Sequence, residues 1–180
     1  MNRFSHPAKP KPAEERTIEL PSPRVNTAAN YTGLWYPGAN YTVDVAVFAM
    51  EHLLLIRRKD TGEWALPGGF IDFGETAVTA GRREAREETN LRLTDEPVEF
   101  YRGPVGSYKE GRDPSWIETT GLLWMLKAPE PAMAGDDAAE THWVDLAHLP
   151  RQLYGSHNLL VVRAIAMRDD IIRQKMTQGQ

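Results

Sequence analysis

The stretch that most narrows the fold of this 180-residue chain runs from residue 41 to residue 58. "YTVDVAVFAM" (41–50) and "LLLIRR" (53–58) are rich in β-branched and aliphatic residues and are parted only by Glu51-His52. Two strand-like runs joined by so short a turn pair as an antiparallel hairpin. A hairpin alone is marginal in water, so further elements have to join it. The next turn, "KDTGEW" (59–64), has Gly62 for its permissive backbone, and "WALPGGFIDFGE" runs from a short strand into a glycine-rich loop. Residues 75–89 read as a helix opened by Glu75 and Thr76, with no proline inside. Later strands are expected at "VEFYRG" (98–103), "TTGLLWMLKA" (119–128) and "THWVDL" (141–146). "SHNLLVVRAIAMRDDIIRQKM" (156–176) reads as a long amphipathic helix with Ser156 as its N-cap. The pattern predicts an α+β fold, an α/β/α sandwich in which a mixed sheet is flanked by helices.

Residues 1–32 differ in kind. Five of the thirteen prolines fall within residues 1–23, among Lys, Glu and Arg. Such a segment buries too little apolar surface to offset its ordering entropy, so it is expected to be an extended, mobile extension or a strap along a partner subunit. The remainder, 33–180, reads as one domain. A net charge of −4 offers no global attraction to nucleic acid or to an anionic membrane. With no cysteine, disulfides, thiolate metal sites and cysteine nucleophiles are excluded together. The N-terminus has no apolar secretory core and "VAVFAM" (45–50) is too short to span a bilayer, so a cytoplasmic protein is expected.

The chemistry concentrates at "RREAREETNL" (82–91). On a helical wheel Glu88 lies about 40° to one side of Glu84 and Glu87 about 60° to the other, so all three carboxylates share a face. Ala77, Ala80 and Gly81 stand one turn earlier and leave a recess beside them. Clustered hard oxygen donors suit Mg²⁺ or Mn²⁺, which bridge carboxylates to substrate phosphates. Gly68 and Gly69 let the preceding loop approach a ligand, and a carbonyl there could complete a metal shell. A solvated helix whose Arg and Glu side chains pair at i, i+4 is an equally physical reading of the same residues.

From Gly69 the chain reads Gly, five residues, Glu75, seven residues, then Arg83-Glu84-Ala85-Arg86-Glu87-Glu88-Thr89-Asn90-Leu91. This resembles the Nudix box, G-x5-E-x7-R-E-U-x-E-E-x-G-U with U aliphatic. Asn90 stands where the family has glycine, and Ala85 is small for its aliphatic position. Asparagine is the next most tolerant residue for the left-handed turn that ends a helix. "IRRKDTGEWALPGG" (56–69), "DPSWIETTGL" (113–122), "AGDDAAETHWVDL" (134–146) and "LYGSHNLLV" (153–161) are similar to the ADP-ribose pyrophosphatase branch of that superfamily, and to the related ADP-ribose-sensing domain of a melastatin-type cation channel.

The resemblance implies metal-dependent hydrolysis of ADP-ribose, a small-molecule nucleoside diphosphate, to AMP and ribose 5-phosphate. Glu84, Glu87 and Glu88 would hold the ion with the Gly69 carbonyl, and Arg83 would orient the glutamates. Glu75 would tie the loop to the helix. The base that activates water is either Glu87 or a member of the acidic loop Asp136-Asp137-Glu140. Trp116, then Trp64, are the candidates for stacking on adenine, and Glu118, Tyr154 and His157 for binding the terminal ribose, with Asp136 and Asp137 also near the substrate. Alternatives kept open are other substrates (NADH, other nucleoside diphosphate sugars, oxidised nucleotides), a binding module without chemistry, and a homodimer.

Overall fold

The hairpin forms, and the sheet grows from it. In the computed structural model, which describes residues 40–105, 117–135 and 138–178, β1 (Asn40–Ala49) and β2 (His52–Arg58) pair antiparallel at Phe48↔Leu53 and Ala49↔His52. The turn sits one residue earlier than the sequence suggests. Met50, at φ 53°, and Glu51 make it, and His52 is already in the ladder. A distant residue holds this turn: Arg168 donates to the Met50 carbonyl at 2.8 Å and pairs with the Glu51 carboxylate. Gly62, at φ 71°, closes the next turn by donating its N–H to the Arg58 carbonyl at 3.0 Å.

Beyond those two pairs β1 and β2 part company. Antiparallel neighbours β3 (Trp64–Ala65) and β7 (Ala138–Asp145) flank β2. Strand β1 takes β4 (Gly68–Phe70) antiparallel and β6 (Ile117–Leu126) parallel, the latter from Asn40↔Ile117 to Ala49↔Leu126. β5 (Val98–Val105) lines the far side of β6. The result is one seven-stranded mixed sheet.

Alternation along β1 explains the two cores. Val43, Val45 and Val47 join Leu54, Leu122 and Trp124 beneath Ala80 and Ala85 of α1 (Ala77–Thr89). Ala46 and Phe48 join Leu53 and Leu55 beneath Leu160, Val161 and Ala164 of α2 (His157–Gln178). Both faces are therefore covered, and that is why "VAVFA" is an unbroken apolar run rather than an alternation. The expected sandwich is what forms. Mid-helix Gly81 lets α1 lie close to the sheet: a Cβ there would stand 3.3 Å from both Leu122 and Trp124. That close approach is the compensation for the roughly 1 kcal/mol that glycine costs inside a helix.

Element ends differ from the sequence reading for local reasons. α1 starts at Ala77 because Thr76 caps it, its hydroxyl accepting the Thr79 N–H at 3.1 Å while the Thr79 hydroxyl accepts the Thr76 N–H at 2.8 Å. β7 begins at Ala138 because its ladder with β2 continues past an irregularity at Arg57/Arg58. It stops at Asp145, whose carboxylate accepts the Ala147 N–H and opens a 3-10 turn, Leu146–His148. The Ser156 carbonyl accepts the first N–H groups of α2, from Leu159 and Leu160. The proline-rich segment 1–32, Trp116, Asp136 and Asp137 lie outside the described residues.

Helix α1 ends at Asn90, which adopts φ 60°, ψ 11° and donates its N–H to the Arg86 carbonyl at 2.9 Å. Residues other than glycine and asparagine lose about 1–2 kcal/mol in that conformation. Asn90→Gly is expected to leave the chemical denaturation midpoint nearly unchanged, whereas Asn90→Val lowers stability by about 1–2 kcal/mol. Equal stability of the two variants would mean that the left-handed turn does not govern this helix end.

Candidate functional site

Residues 66–70 are gripped from several sides at once. The Leu66 N–H donates to His157 Nδ1 at 2.9 Å, at the start of α2. The Pro67 carbonyl accepts the Val45 N–H at 2.8 Å. The Gly68 N–H donates to Glu88 Oε2 at 2.9 Å, and the Phe70 carbonyl accepts from Arg83 at 2.8 Å, both partners on α1. The adjacent glycines answer two different demands. A Cβ on Gly68 would lie 2.3 Å from the Val43 carbonyl oxygen, in the strand ladder. A Cβ on Gly69 would lie 2.3 Å from Glu84 Oε1, in the carboxylate itself.

Arg83 organises the charge. It forks onto Glu75, with Nε 3.0 Å from Oε1 and Nη2 2.9 Å from Oε2. Its Nη1 donates to Glu84 Oε1 at 2.7 Å and to Glu87 Oε2 at 3.1 Å. Glu75 also accepts the Asp72 N–H at 3.0 Å, so it ties the loop to the helix. The pairing with Arg83 holds the Glu75 carboxyl below the ordinary glutamate value and raises the Arg83 guanidinium further. Burial pushes the Glu84 carboxyl the other way, upward, against the pull of Arg83.

The three glutamates are not equivalent. Glu88 is 5% exposed. The Glu84 side chain is 12% exposed and that of Glu87 46%. Carboxylate oxygens beside a backbone carbonyl are a donor set of the kind a hard divalent cation takes. Among the described residues, no three acidic or histidine side chains stand close enough to share an ion. Arg83 Nη1 lies between Glu84 and Glu87, and Glu88 faces Gly68, so here the guanidinium supplies the countercharge.

The C-terminal end of α1 is covered by the segment leading into β7. Met133 donates its N–H to the Thr89 carbonyl and Gly135 to the Glu88 carbonyl, each at 3.0 Å. Any Cβ on Gly135 would lie 1.8 Å from the Glu87 carbonyl oxygen. Lys59 Nζ reaches the Gly135 carbonyl at 3.2 Å. The bonds from Met133 and Gly135 satisfy helix-end carbonyls that otherwise lack partners.

Of the candidate substrate contacts, His157 touches the 66–70 segment directly and the other described ones have partners elsewhere. Trp64 is half-buried, packed on the core with its ring edge-on to His142 at 5.4 Å. Tyr154 lies under the Arg58 guanidinium, 4.5 Å from its ring centre, and edge-on to His157 at 5.7 Å. Glu118 sits on β6 opposite Tyr41 and Pro104. Glu140 is engaged at the surface by Arg57 at 3.0 Å and His142 at 3.3 Å. His157 turns both ring nitrogens to the protein: Nδ1 to Leu66, and Nε2 to Asp44 Oδ1 at 3.5 Å.

Asp44 escaped the sequence reading, as did Thr119, which donates to Asp44 Oδ2 at 2.6 Å. The signal was there: a carboxylate in the middle of an apolar strand requires a partner, because an isolated buried charge is costly. Gly135 gave no such local signal.

Comparison with known proteins identifies the family. Residues 39–163 match the NUDIX domain family. A mitochondrial ADP-ribose pyrophosphatase of Rattus norvegicus is 30% identical over 155 residues, 73% of this chain and 44% of the rat protein. The chain thus spans less than half of that relative's length. An ADP-ribose pyrophosphatase of Methanocaldococcus jannaschii is 32% identical over 122 residues, 66% of this chain and 69% of the archaeal protein. The NUDIX domain of Shewanella oneidensis NrtR, solved in complex with ADP ribose, aligns with a TM-score of 0.64 at 21% identity, over 81% of this chain and 99% of that one. At that identity the likeness is one of fold.

The charge network predicts a pH-dependent cost for losing Arg83. Arg83→Gln leaves the buried Glu84 uncompensated and is expected to cost about 2–3 kcal/mol at pH 7. Glu84, already above its ordinary value, then rises further, so the variant gains stability as acid protonates it. In the parent protein, the contribution of Glu75 is present above its unfolded value and lost as pH falls through its lowered folded one. Urea denaturation at pH 7 and near pH 4 is therefore expected to show the two proteins converging on acidification; a pH-independent difference would remove the carboxylates from the account.

Proposed function

The chain belongs to the NUDIX domain family, and from that premise we propose that it hydrolyses the diphosphate of ADP-ribose to AMP and ribose 5-phosphate. The observation that carries this reading is the Arg83-centred network of α1, which joins Glu75, Glu84 and Glu87, with Glu84 against Gly69 and Glu88 on the Gly68 N–H. Its substrate is supported by two relatives that are ADP-ribose pyrophosphatases. Glu84, Glu87 and Glu88 here turn to Arg83 and Gly68 rather than to one another. They would have to turn inward to hold Mg²⁺ or Mn²⁺ with the Gly69 carbonyl, and the ion would neutralise phosphate charge and acidify a water.

The chain's own residues then have distinct tasks. Glu87, the most exposed of the three glutamates, accepts the proton of the attacking water. As the water oxygen bonds to phosphorus, the bridging P–O bond on the far side breaks, in line. Arg83 holds Glu84 in place through its fork on Glu75. Asp136 and Asp137 are the alternative bases; Glu140 is less suited because Arg57 and His142 already occupy its carboxylate. For the adenine we propose Trp116, with Trp64 second, and for the terminal ribose Glu118 and Tyr154. His157 is better read as positioning Leu66 than as a ribose contact, since its Nδ1 is committed.

We place the protein in the cytoplasm, with 33–180 as the working domain and 1–32 as an extension, and leave room for a homodimer. Among the described residues no helix is long and apolar enough to cross a membrane.

Purified protein with Mg²⁺ or Mn²⁺ is expected to release AMP from ADP-ribose, followed chromatographically, and to stop on addition of a chelator. Glu87→Gln should lower kcat by about 10²-fold or more with circular dichroism unchanged. Binding of ADP-ribose without AMP release under either metal would replace the hydrolase with a binding module.

A further inference from the structure

The outward side of α1 carries a second charge pattern that the hydrolytic reading leaves unused. With Arg83 at zero on the helical wheel, Arg82 lies at about −100°, Arg86 at about −60° and Glu87 at about +40°. Three arginines thus run side by side up to the edge of the glutamate face. They border a shallow, open depression of about 520 Å³ lined by Arg82, Arg83, Arg86, Arg92, Glu87 and Leu93.

The walls are held in place. Arg82 donates to the Thr94 and Asp95 carbonyls at 3.0 Å each and to Glu96 at 2.9 Å. From the sheet, Trp124 Nε1 donates to the same Asp95 carbonyl at 2.8 Å. Leu93 is buried and anchors the floor in the core. Arg86 and Arg92 are exposed, and neither has a carboxylate partner among the described residues. In a chain of net charge −4, four arginines facing one depression are not a by-product of a basic composition. Arg82 is balanced by Glu96, and Arg83 by Glu75, Glu84 and Glu87. The charge left for an anion is that of Arg86 and Arg92, whose guanidinium groups match phosphate oxygens in forked geometry.

We propose that this pocket is a subsite for a phosphoryl anion, bordering the glutamate cluster at Glu87. Arg86 and Arg92 grasp the anion while Arg82 and Leu93 fix the wall and floor. The anion has two possible sources: a phosphate carried by the substrate beyond its cleaved bond, or a free phosphate compound that occupies the pocket beside the substrate. The site stands independently of hydrolysis, because binding is measured without metal or turnover.

Isothermal titration calorimetry with inorganic pyrophosphate in the presence of a chelator tests it. The parent protein is expected to bind, with affinity falling as salt rises. Arg86→Gln/Arg92→Gln is expected to weaken binding at least roughly tenfold, with an unchanged melting temperature. A charge-matched control, Arg173→Gln/Lys175→Gln on α2, retains parent affinity. Repeating the titration with saturating ADP-ribose separates the sources: competition marks a substrate phosphate, simultaneous binding a separate compound. No binding to the parent, undiminished binding to the pocket variant, or equal weakening in the control would each overturn the proposal. A protein that binds pyrophosphate here yet releases no AMP refutes the hydrolase and leaves the subsite standing.

Discussion

Everything in the candidate site depends on the hold that two helices take on five residues of backbone. Helix α2 reaches Leu66 through His157, and α1 reaches Gly68 and Phe70 through Glu88 and Arg83. Strand β1 supplies the third contact, since Gly68 and Gly69 pair with Asp44 and Val43. The segment therefore reports the relative placement of both faces of the sandwich. The glycines are needed because the grip is tight: a side chain at either would enter the ladder or the Glu84 carboxylate.

Charge balance follows from that grip. Pressing α1 onto the loop half-buries Arg83 and buries more of Glu84 and Glu88, so each ionised group must find a partner. Arg83 answers for Glu75, Glu84 and Glu87 together, and the backbone N–H of Gly68 answers for Glu88. Only Glu87 keeps substantial contact with solvent. One helix thus presents a graded series, from the closed Glu88 through Glu84 to the open Glu87, and beyond it an arginine-lined pocket. That order suits chemistry in which one carboxylate meets solvent while the others stay fixed.

How much could be read in advance varied with the range of the interactions. The hairpin, both helices and the shared glutamate face follow from periodicity and turn chemistry within a few residues. The left-handed Asn90 belongs to the same class. Errors of one to three residues at the hairpin turn and the start of β7 came from partners far along the chain, Arg168 and β2. Trp64 and His157 resembled family contacts by local sequence, but what touches them depends on packing. Asp44 announced itself as a charge within an apolar run, although its partners, Thr119 and His157, lie 75 and 113 residues away.

By itself, then, the sequence determined the elements and the chemical kind of the site: a β-hairpin extended by helices, and carboxylates placed one helical turn apart next to two glycines. Those are consequences of fixed local geometry, 3.6 residues per turn and alternation in a strand, and they survive any tertiary arrangement. Tertiary structure alone decided which glutamate is buried, which positive group faces each carboxylate, and why Gly135 must be glycine. The reason is physical: desolvation and hydrogen bonding depend on what packs against a group, and those neighbours come from elsewhere in the chain.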